Sequence, residues 1–388
     1  MRFEFATATR IIFGPGTIDE AASLSADIGK RAFVITGSSM ERAQQLLEAL
    51  GKQGIDYVTF SVPGEPTTTI AVAAAQAARQ TGCDLIISIG GGSVLDTGKV
   101  AAAMLTNIGE LEDYLEVVGA GKPLSRQAAP HIAIPTTAGT GAEVTRNSVL
   151  SVPEHGVKVS MRSAYMLPRL VVVDPALTYS MPPDVTASTG LDALTQLLEV
   201  YVSSRANPLT DGICREGLRR AGRSLRRAYE DGNDREARAD MAIASLFSGL
   251  GLANAKLGAV HGFAGPLGGM YPAPHGVICA RLLPFVMEAN VKALQQRDAT
   301  SPGLAKYDEA ARLLTGSNLA KAADAVKWVR ELCLALKAPS LARYGLKPQD
   351  FEIVISKAKK SSSMKGNPVE LTDGELLNII RQANAATP

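Results

Sequence analysis

The chain has only four histidines in 388 residues, and two of them, His261 and His275, fall in one short segment, AVHGFAGPLGGMYPAPHG (259–276). Imidazole is a frequent metal ligand. The glycines and prolines between the two read as a bent, turn-rich stretch that could hold one ring on either side of an ion. One core histidine and one loop histidine is the plainer alternative. Upstream, STGLDALTQLLEVYV (188–202) has the periodicity of a helix, with Leu191, Leu194, Leu198 and Tyr201 on an apolar stripe. Asp192, Gln196 and Glu199 recur at helical spacing and share a second face. Taken alone, a carboxylate early in such a helix could simply face the positive end of the dipole.

Two further segments could bind an anion. In DLIISIGGGSVLDTGK (84–99) an apolar, β-branched run leads straight into Gly90, Gly91, Gly92 and Ser93, and then into a helical pattern. Glycines allow close backbone approach, and free N–H groups at a helix start attract a phosphate. The spacing is neither GxGxxG nor a P-loop, so a bare glycine turn stays open as an alternative. In HIAIPTTAGTGAE (131–143) a short strand ends at Pro135, and Thr136, Thr137 and Thr140 follow with hydroxyls that could line a ligand.

These loops need a scaffold. Strands are predicted at 32–36, 56–60, 85–89, 131–135 and 170–174, with helical runs such as ERAQQLLEAL and TIAVAAAQAARQ between them. This alternation implies a Rossmann-like α/β domain with a mostly parallel sheet, whose ligands sit beyond the carboxyl ends of the strands. From about residue 182 helical patterns dominate. We therefore expect an α/β dinucleotide-binding domain over 1–180 and an all-helical metal- and substrate-binding domain over 181–388. A capping box, Thr372 to Glu375, opens the last helix.

Taken in order, IIFGPG (11–16), GGGSVLDTGK, IPTTAGTGAE, DPALTYSMPPDVTASTGLDALTQ (174–196), GAVHGFAGPLGGMYPAPHG and KGNPVELTDGELLNIIRQA (365–383) resemble the iron-containing (group III) alcohol dehydrogenase family along the whole chain. The resemblance implies a metal-dependent alcohol dehydrogenase or aldehyde reductase. Such an enzyme moves hydride between NAD(P)(H) and a small alcohol or carbonyl substrate. It implies one divalent metal, Fe2+ or Zn2+, on the catalytic residues Asp192, His261 and His275. The family usually has a histidine ligand where this chain has Gln196, whose neutral amide would be at most a weak ligand. Zinc-dependent glycerol dehydrogenases of the same superfamily use a similar three-ligand set. Many members also carry a histidine near the substrate four residues after His261, where this chain has Gly265.

For the dinucleotide, the resemblance implies pyrophosphate contacts from Gly91, Gly92 and Ser93. It places Thr136, Thr137, Thr140, Asn147 and Lys158 around the nicotinamide half, and counts Asp96 and Leu177 among the cofactor contacts. NAD-preferring members usually have an aspartate where Gly37 stands. Its loss, with Ser38, Ser39 and Arg42 close by, favours NADP over NAD. A homodimer is also implied; the expectation of a cytoplasmic protein comes instead from the cysteines, which read as reduced thiols.

Composition adds limits. A 46% hydrophobic and 20% charged chain with net charge +2 is ordinary for a globular protein and implies no large anionic partner. No apolar leader or 18-residue apolar run is present, so neither secretion nor membrane insertion is expected. Cys83, Cys214, Cys279 and Cys333 lie far apart, as reduced buried thiols do. The arginines between Arg215 and Arg227 alternate with apolar residues at helical spacing and read as a solvated face, not a nucleic-acid surface. Two other functions share these features. One is a dehydroquinate-synthase-like lyase or cyclase, which would need basic residues around its anionic substrate; none stands nearer to His261 than Lys256. The other is a metal-free, non-catalytic cofactor-binding protein.

Overall fold

The computed structural model describes residues 2–386. The chain forms two compact units. One spans Ala6–Thr137 and Gly141–Ser180; the other takes Met181 onward together with Ala138–Thr140 and the N-terminal residues up to Phe5.

The first unit is α/β. Its elements are β1 (Arg10–Phe13), α1 (Ile18–Ala26), β2 (Arg31–Thr36), α2 (Glu41–Lys52), β3 (Asp56–Ser61) and α3 (Thr68–Gln80). They are followed by β4 (Leu85–Gly90), α4 (Gly92–Thr106), β5 (His131–Pro135), β6 (Asn147–Val152), β7 (Val157–Arg162) and β8 (Leu170–Val173). Six strands form a parallel sheet in the order β1-β8-β5-β4-β2-β3. Along β2 the side chains alternate between faces, as the pleat requires. Val34 joins Ile18 and Leu46 of α1 and α2 on one side. Phe33 and Ile35 join Ala74 and Val94 of α3 and α4 on the other. Both faces are covered, so β4 is buried along its whole length and reads as an unbroken apolar run.

Strand order fixes where a ligand can enter. β2 continues to β3 at the sheet edge, whereas β4, on its other side, continues the opposite way to β5. The connections leaving β2 and β4 therefore diverge, and adjacent strands with diverging connections open a crevice beyond their carboxyl ends. Gly37 and Ser38 follow β2 there, and Gly91, Gly92 and Ser93 follow β4.

All five predicted strands are present. The prediction omitted β1 and the β6–β7 hairpin, which is antiparallel and separate from the main sheet. The hairpin has a legible signal: NSVLSV and VKVSMR flank PEHG, whose Gly156 takes the left-handed conformation (φ 56°).

Glu143 lies in the 3₁₀ turn Ala142–Val144 and is only 2% exposed. Burial pushes its carboxyl up to about 7, against the opposing pull of a backbone N–H and Lys99. A raised carboxyl pKa means the folded state keeps a proton that the unfolded chain releases. Stability is therefore lost as pH rises from the ordinary glutamate range towards 7, by roughly 3 kcal/mol at the plateau. Glu143→Gln removes this penalty. Its melting temperature is expected to exceed that of the native protein by a margin that grows between about pH 4.5 and 7 and then levels off. A margin independent of pH would refute the assignment.

The second unit is helical. It contains α5 (Pro183–Val202), α6 (Pro208–Glu230), α7 (Arg235–Asn254), α8 (Ala259–Met270) and α9 (His275–Arg297). It ends with α10 (Pro302–Thr315), α11 (Ala322–Ala335), α12 (Phe351–Lys360) and α13 (Asp373–Asn384). α5 is buried on every side from Gly190 onward, with α6, α7 and α9 packed around it. Asn207 caps α6 by accepting from the N–H groups of Leu209 and Thr210 (3.1 and 3.2 Å). The Thr372–Glu375 capping box opens α13. The α6 arginines meet carboxylates: Arg215 meets Glu309, Arg220 and Arg223 meet Asp240, and Arg227 meets Asp234. This neutralised face offers no phosphate track. The four cysteines are buried and form no disulfide. Among the described residues no single helix is long and apolar enough to cross a membrane.

Candidate active site

The segment read as bent and turn-rich is mostly helix. α8 runs through Met270, and the bend is confined to residues 271–274 before α9 starts at His275. Gly276 and Gly258, the residue just before α8, serve close approach. A Cβ on Gly276 would lie 2.3 Å from the Ser188 carbonyl oxygen of α5. A Cβ on Gly258 would lie 2.8 Å from Glu199 Oε1. The small residues thus let α8 and α9 come against α5, bringing both histidines to its polar side chains.

Asp192 lies in the middle of α5, not at its dipolar end, and is 2% exposed. Its Oδ1 faces Nε2 of His261 at 3.4 Å and Nε2 of His275 at 3.7 Å. Yet Oδ1 is buried without a hydrogen-bond partner. Such an atom is costly unless a cation or donor completes it. The three predicted ligands are thus brought together, and their donor atoms fit a divalent ion.

Glu199 orients this group, a role the sequence reading did not give it. Its carboxylate accepts from the backbone N–H of Val260 (2.6 Å) and from Nδ1 of His261 (2.6 Å). One side chain therefore caps α8 and fixes the imidazole. With Nδ1 donating to Glu199, Nε2 is the ring atom turned towards Asp192, and it can bind a metal ion once its proton leaves. Burial works against charge on His261, but Cys279, Asp192 and Glu199 outweigh it and hold its pKa well above the usual value. His275 is likewise raised, by Cys279 and Asp192 against burial. The Asp192 carboxyl is held low despite burial, by His275, His261 and a hydrogen bond from Gln196. A field that draws protons onto these imidazoles also draws a metal ion to the same nitrogens.

Gln196 is also buried, and its Oε1 accepts from Ser248 Oγ at 3.2 Å. Its amide therefore braces Asp192 while its oxygen is engaged elsewhere. A Cβ on Gly265 would meet no atom within 4 Å, so there is open space one turn beyond His261. Cys279 was also missed: its Sγ lies 3.7 Å from Nε2 of His261 and 3.6 Å from Nε2 of His275. The available signal was its position one helical turn after His275.

Of the other histidines, His131 is a core residue. Its Nε2 contacts Ser88 Oγ at 3.0 Å, and burial pushes its pKa down to about 3, so the ring stays neutral. His155 lies on an exposed turn.

The predicted cofactor residues are distributed as follows. Gly91 precedes α4, and Gly92 and Ser93 form its first turn, where backbone N–H groups lack helical acceptors. Thr136 and Thr137 follow β5; Thr140 groups with the helical unit. Leu177 lies in the 3₁₀ turn Pro175–Thr178. Three others carry internal bonds. Asp96 accepts from the Val149 N–H (2.9 Å) and pairs with Lys99 (2.8 Å). Asn147 opens β6, and its carbonyl accepts from Lys99. Lys158 on β7 pairs with Glu65 (2.5 Å). They brace the hairpin against α4 and the loop before α3.

Comparison with known proteins agrees with this geometry. The profile of iron-containing alcohol dehydrogenases matches residues 8–175, and that of the Fe-containing alcohol dehydrogenase family C-terminal region matches residues 186–384. Alcohol dehydrogenase 4 of Saccharomyces cerevisiae (strain YJM789) is 35% identical over 381 residues, covering 96% of each chain. The crystal structure of a 1,3-propanediol oxidoreductase superposes with a TM-score of 0.90 at 34% identity, covering 99% of this chain and 100% of that one. Sulfoacetaldehyde reductase from Bifidobacterium kashiwanohense, solved in complex with NAD+, superposes with a TM-score of 0.88 at 28% identity, covering 99% of both chains. An Asp-His-His cluster on the helical unit with Asp192 and His261 buried and His275 half-exposed, a glycine loop at the crevice of a parallel sheet, and two profiles that together account for nearly the whole chain lead to one assignment: this protein belongs to the iron-containing alcohol dehydrogenase family.

Proposed function

We propose that this protein interconverts a small alcohol and its carbonyl compound, using NADP(H) in preference to NAD(H), with Asp192, His261 and His275 holding a divalent cation. The observation that carries this reading is Asp192 Oδ1, buried without a hydrogen-bond partner between two imidazole nitrogens. When bound, the cation supplies Lewis acidity at the substrate oxygen and the nicotinamide supplies or accepts hydride. Glu199 keeps the His261 lone pair aimed. Gly265 leaves room beside that ring and offers no proton-relaying side chain. The pyrophosphate is read onto the first-turn N–H groups of Gly92 and Ser93. The test is a panel of short alcohols, diols and aldehydes, followed by NAD(P)H absorbance with divalent iron or zinc supplied. Absence of turnover across the panel with either cofactor would overturn the reading.

Cofactor choice rests on Gly37. It follows β2 at the crevice, and an added Cβ would come no closer than 4.0 Å to Val94 Cγ2, so a larger side chain fits. Without a carboxylate there, nothing at this position repels a 2′-phosphate, and Ser38, Ser39 and Arg42 offer donors. NADPH should exceed NADH by roughly tenfold in kcat/KM, equivalent to about 1.4 kcal/mol. Gly37→Asp should reverse the order. A native preference for NADH, or a ratio unchanged by the aspartate, would overturn this assignment.

A further inference from the structure

We propose that Cys279 is a fourth protein ligand of the metal, so that Asp192, His261, His275 and the Cys279 thiolate form a set that is tetrahedral at rest, admits the substrate oxygen as a fifth ligand, and selects zinc over ferrous iron. The inference rests on the metal reading above and deepens it.

The first support is geometric. Donors at ordinary zinc bond lengths, arranged tetrahedrally, lie about 3.3 Å apart for nitrogen or oxygen pairs and about 3.6 Å apart when one is sulfur. Asp192 Oδ1 lies 3.4 and 3.7 Å from the two Nε2 atoms. Cys279 Sγ lies 3.7 and 3.6 Å from the same two atoms. Four of the six donor–donor edges therefore match those of a tetrahedral cage to within a few tenths of an ångström. All four donor atoms fall within 4.8 Å of one another.

The second support is the convergence of donor atoms. Glu199 accepts from Nδ1 of His261, which leaves Nε2 as the ring atom facing inward. Asp192 Oδ1 receives no hydrogen bond. Cys279 Sγ faces both Nε2 atoms. A dication among these atoms, with the protons it displaces from the thiol and the imidazoles released to solvent, satisfies all four donors at once.

Local structure explains why sulfur occupies this corner. His275 is the first residue of α9, and Cys279, one turn later, lies on the same face of the helix and is fully buried. Gln196 does not compete, because its oxygen accepts from Ser248. A thiolate in the set favours zinc, whereas ferrous iron in oxygenase-type sites uses two histidines and a carboxylate with open positions.

The test uses the full-length protein. Cobalt(II)-loaded protein should show a near-ultraviolet sulfur-to-cobalt charge-transfer band. Zinc-loaded protein should show one sulfur at about 2.3 Å by X-ray absorption. Cys279→Ser should lose both signals, bind zinc at least tenfold more weakly, and narrow the zinc-over-iron preference in competition dialysis. Cys333→Ser, which removes another buried thiol, should keep both signals. The native spectra alone decide the matter if Cys279→Ser fails to fold. One equivalent of metal bound with no sulfur in its shell overturns the Cys279 assignment and leaves the three-ligand reading standing. Failure of the native protein and Asp192→Ala alike to take up any metal overturns both.

Discussion

His261→Ala is expected to lose bound metal and to lower kcat/KM by at least about a thousandfold. Lewis-acid stabilisation of developing charge supplies several kcal/mol, and about 4 kcal/mol corresponds to three orders of magnitude in rate. His261 is pivotal because its ring has two partners: Nδ1 meets Glu199 at 2.6 Å and Nε2 faces Asp192 at 3.4 Å. Removing the ring deletes one ligand and releases Glu199's hold on the cluster. The helix should survive, since alanine is a good helix former and the Val260 N–H still donates to Glu199. The measurements are metal content by elemental analysis, turnover, and far-ultraviolet circular dichroism. His155→Ala, on its exposed turn, should change none of them. A folded His261→Ala protein with native metal content and turnover would show that the site lies elsewhere.

Gly92→Asp should abolish dinucleotide binding while leaving the fold as stable as before or more so. Gly92 is the first residue of α4 and does not adopt a left-handed backbone. An aspartate in a first helical turn gains about 0.3–1 kcal/mol from the helix dipole, and replacing a helical glycine adds to that. The same carboxylate stands where a pyrophosphate would lie. Two unit charges 4 Å apart near a protein surface repel by about 4 kcal/mol, so Kd should rise at least about a hundredfold. The two readouts move in opposite directions, which separates loss of binding from loss of structure. Cofactor titration and thermal melting measure them. Unchanged titration would remove the loop from the cofactor site.

The parts of this protein that the sequence determines are those in which a residue's role depends on near neighbours. LIISIG reads as a buried strand because every residue in it is apolar, β-branched or small, and the glycines after it mark where the strand passes into a helix. Strand–helix alternation from β1 to β5 points to parallel pairing, since each crossover returns the chain in the same direction. The pairing of His261 with His275 and Asp192 was legible only through motif resemblance, and Gly265 and Gln196 stood out as departures from the same pattern.

Tertiary structure decided what depends on distant partners. The glycines of AVHGFAGPLGG look like turn formers by composition but lie in a helix, where Gly262 makes room for Met364, while the flanking Gly258 and Gly276 make room for Glu199 and for α5. Glu199 could have been any polar residue on a helix face until α8 placed its first N–H groups 2.6 Å away. Asp192 could have been a dipole partner until burial left its Oδ1 without a donor. Cys279 read as one of four inert thiols, yet a single turn of α9 aligns it with His275, and helix packing brings it to His261. In each case the physical reason is the same. Periodicity fixes which face of an element a side chain occupies, but burial, proton sharing and ligand geometry depend on which other element that face meets.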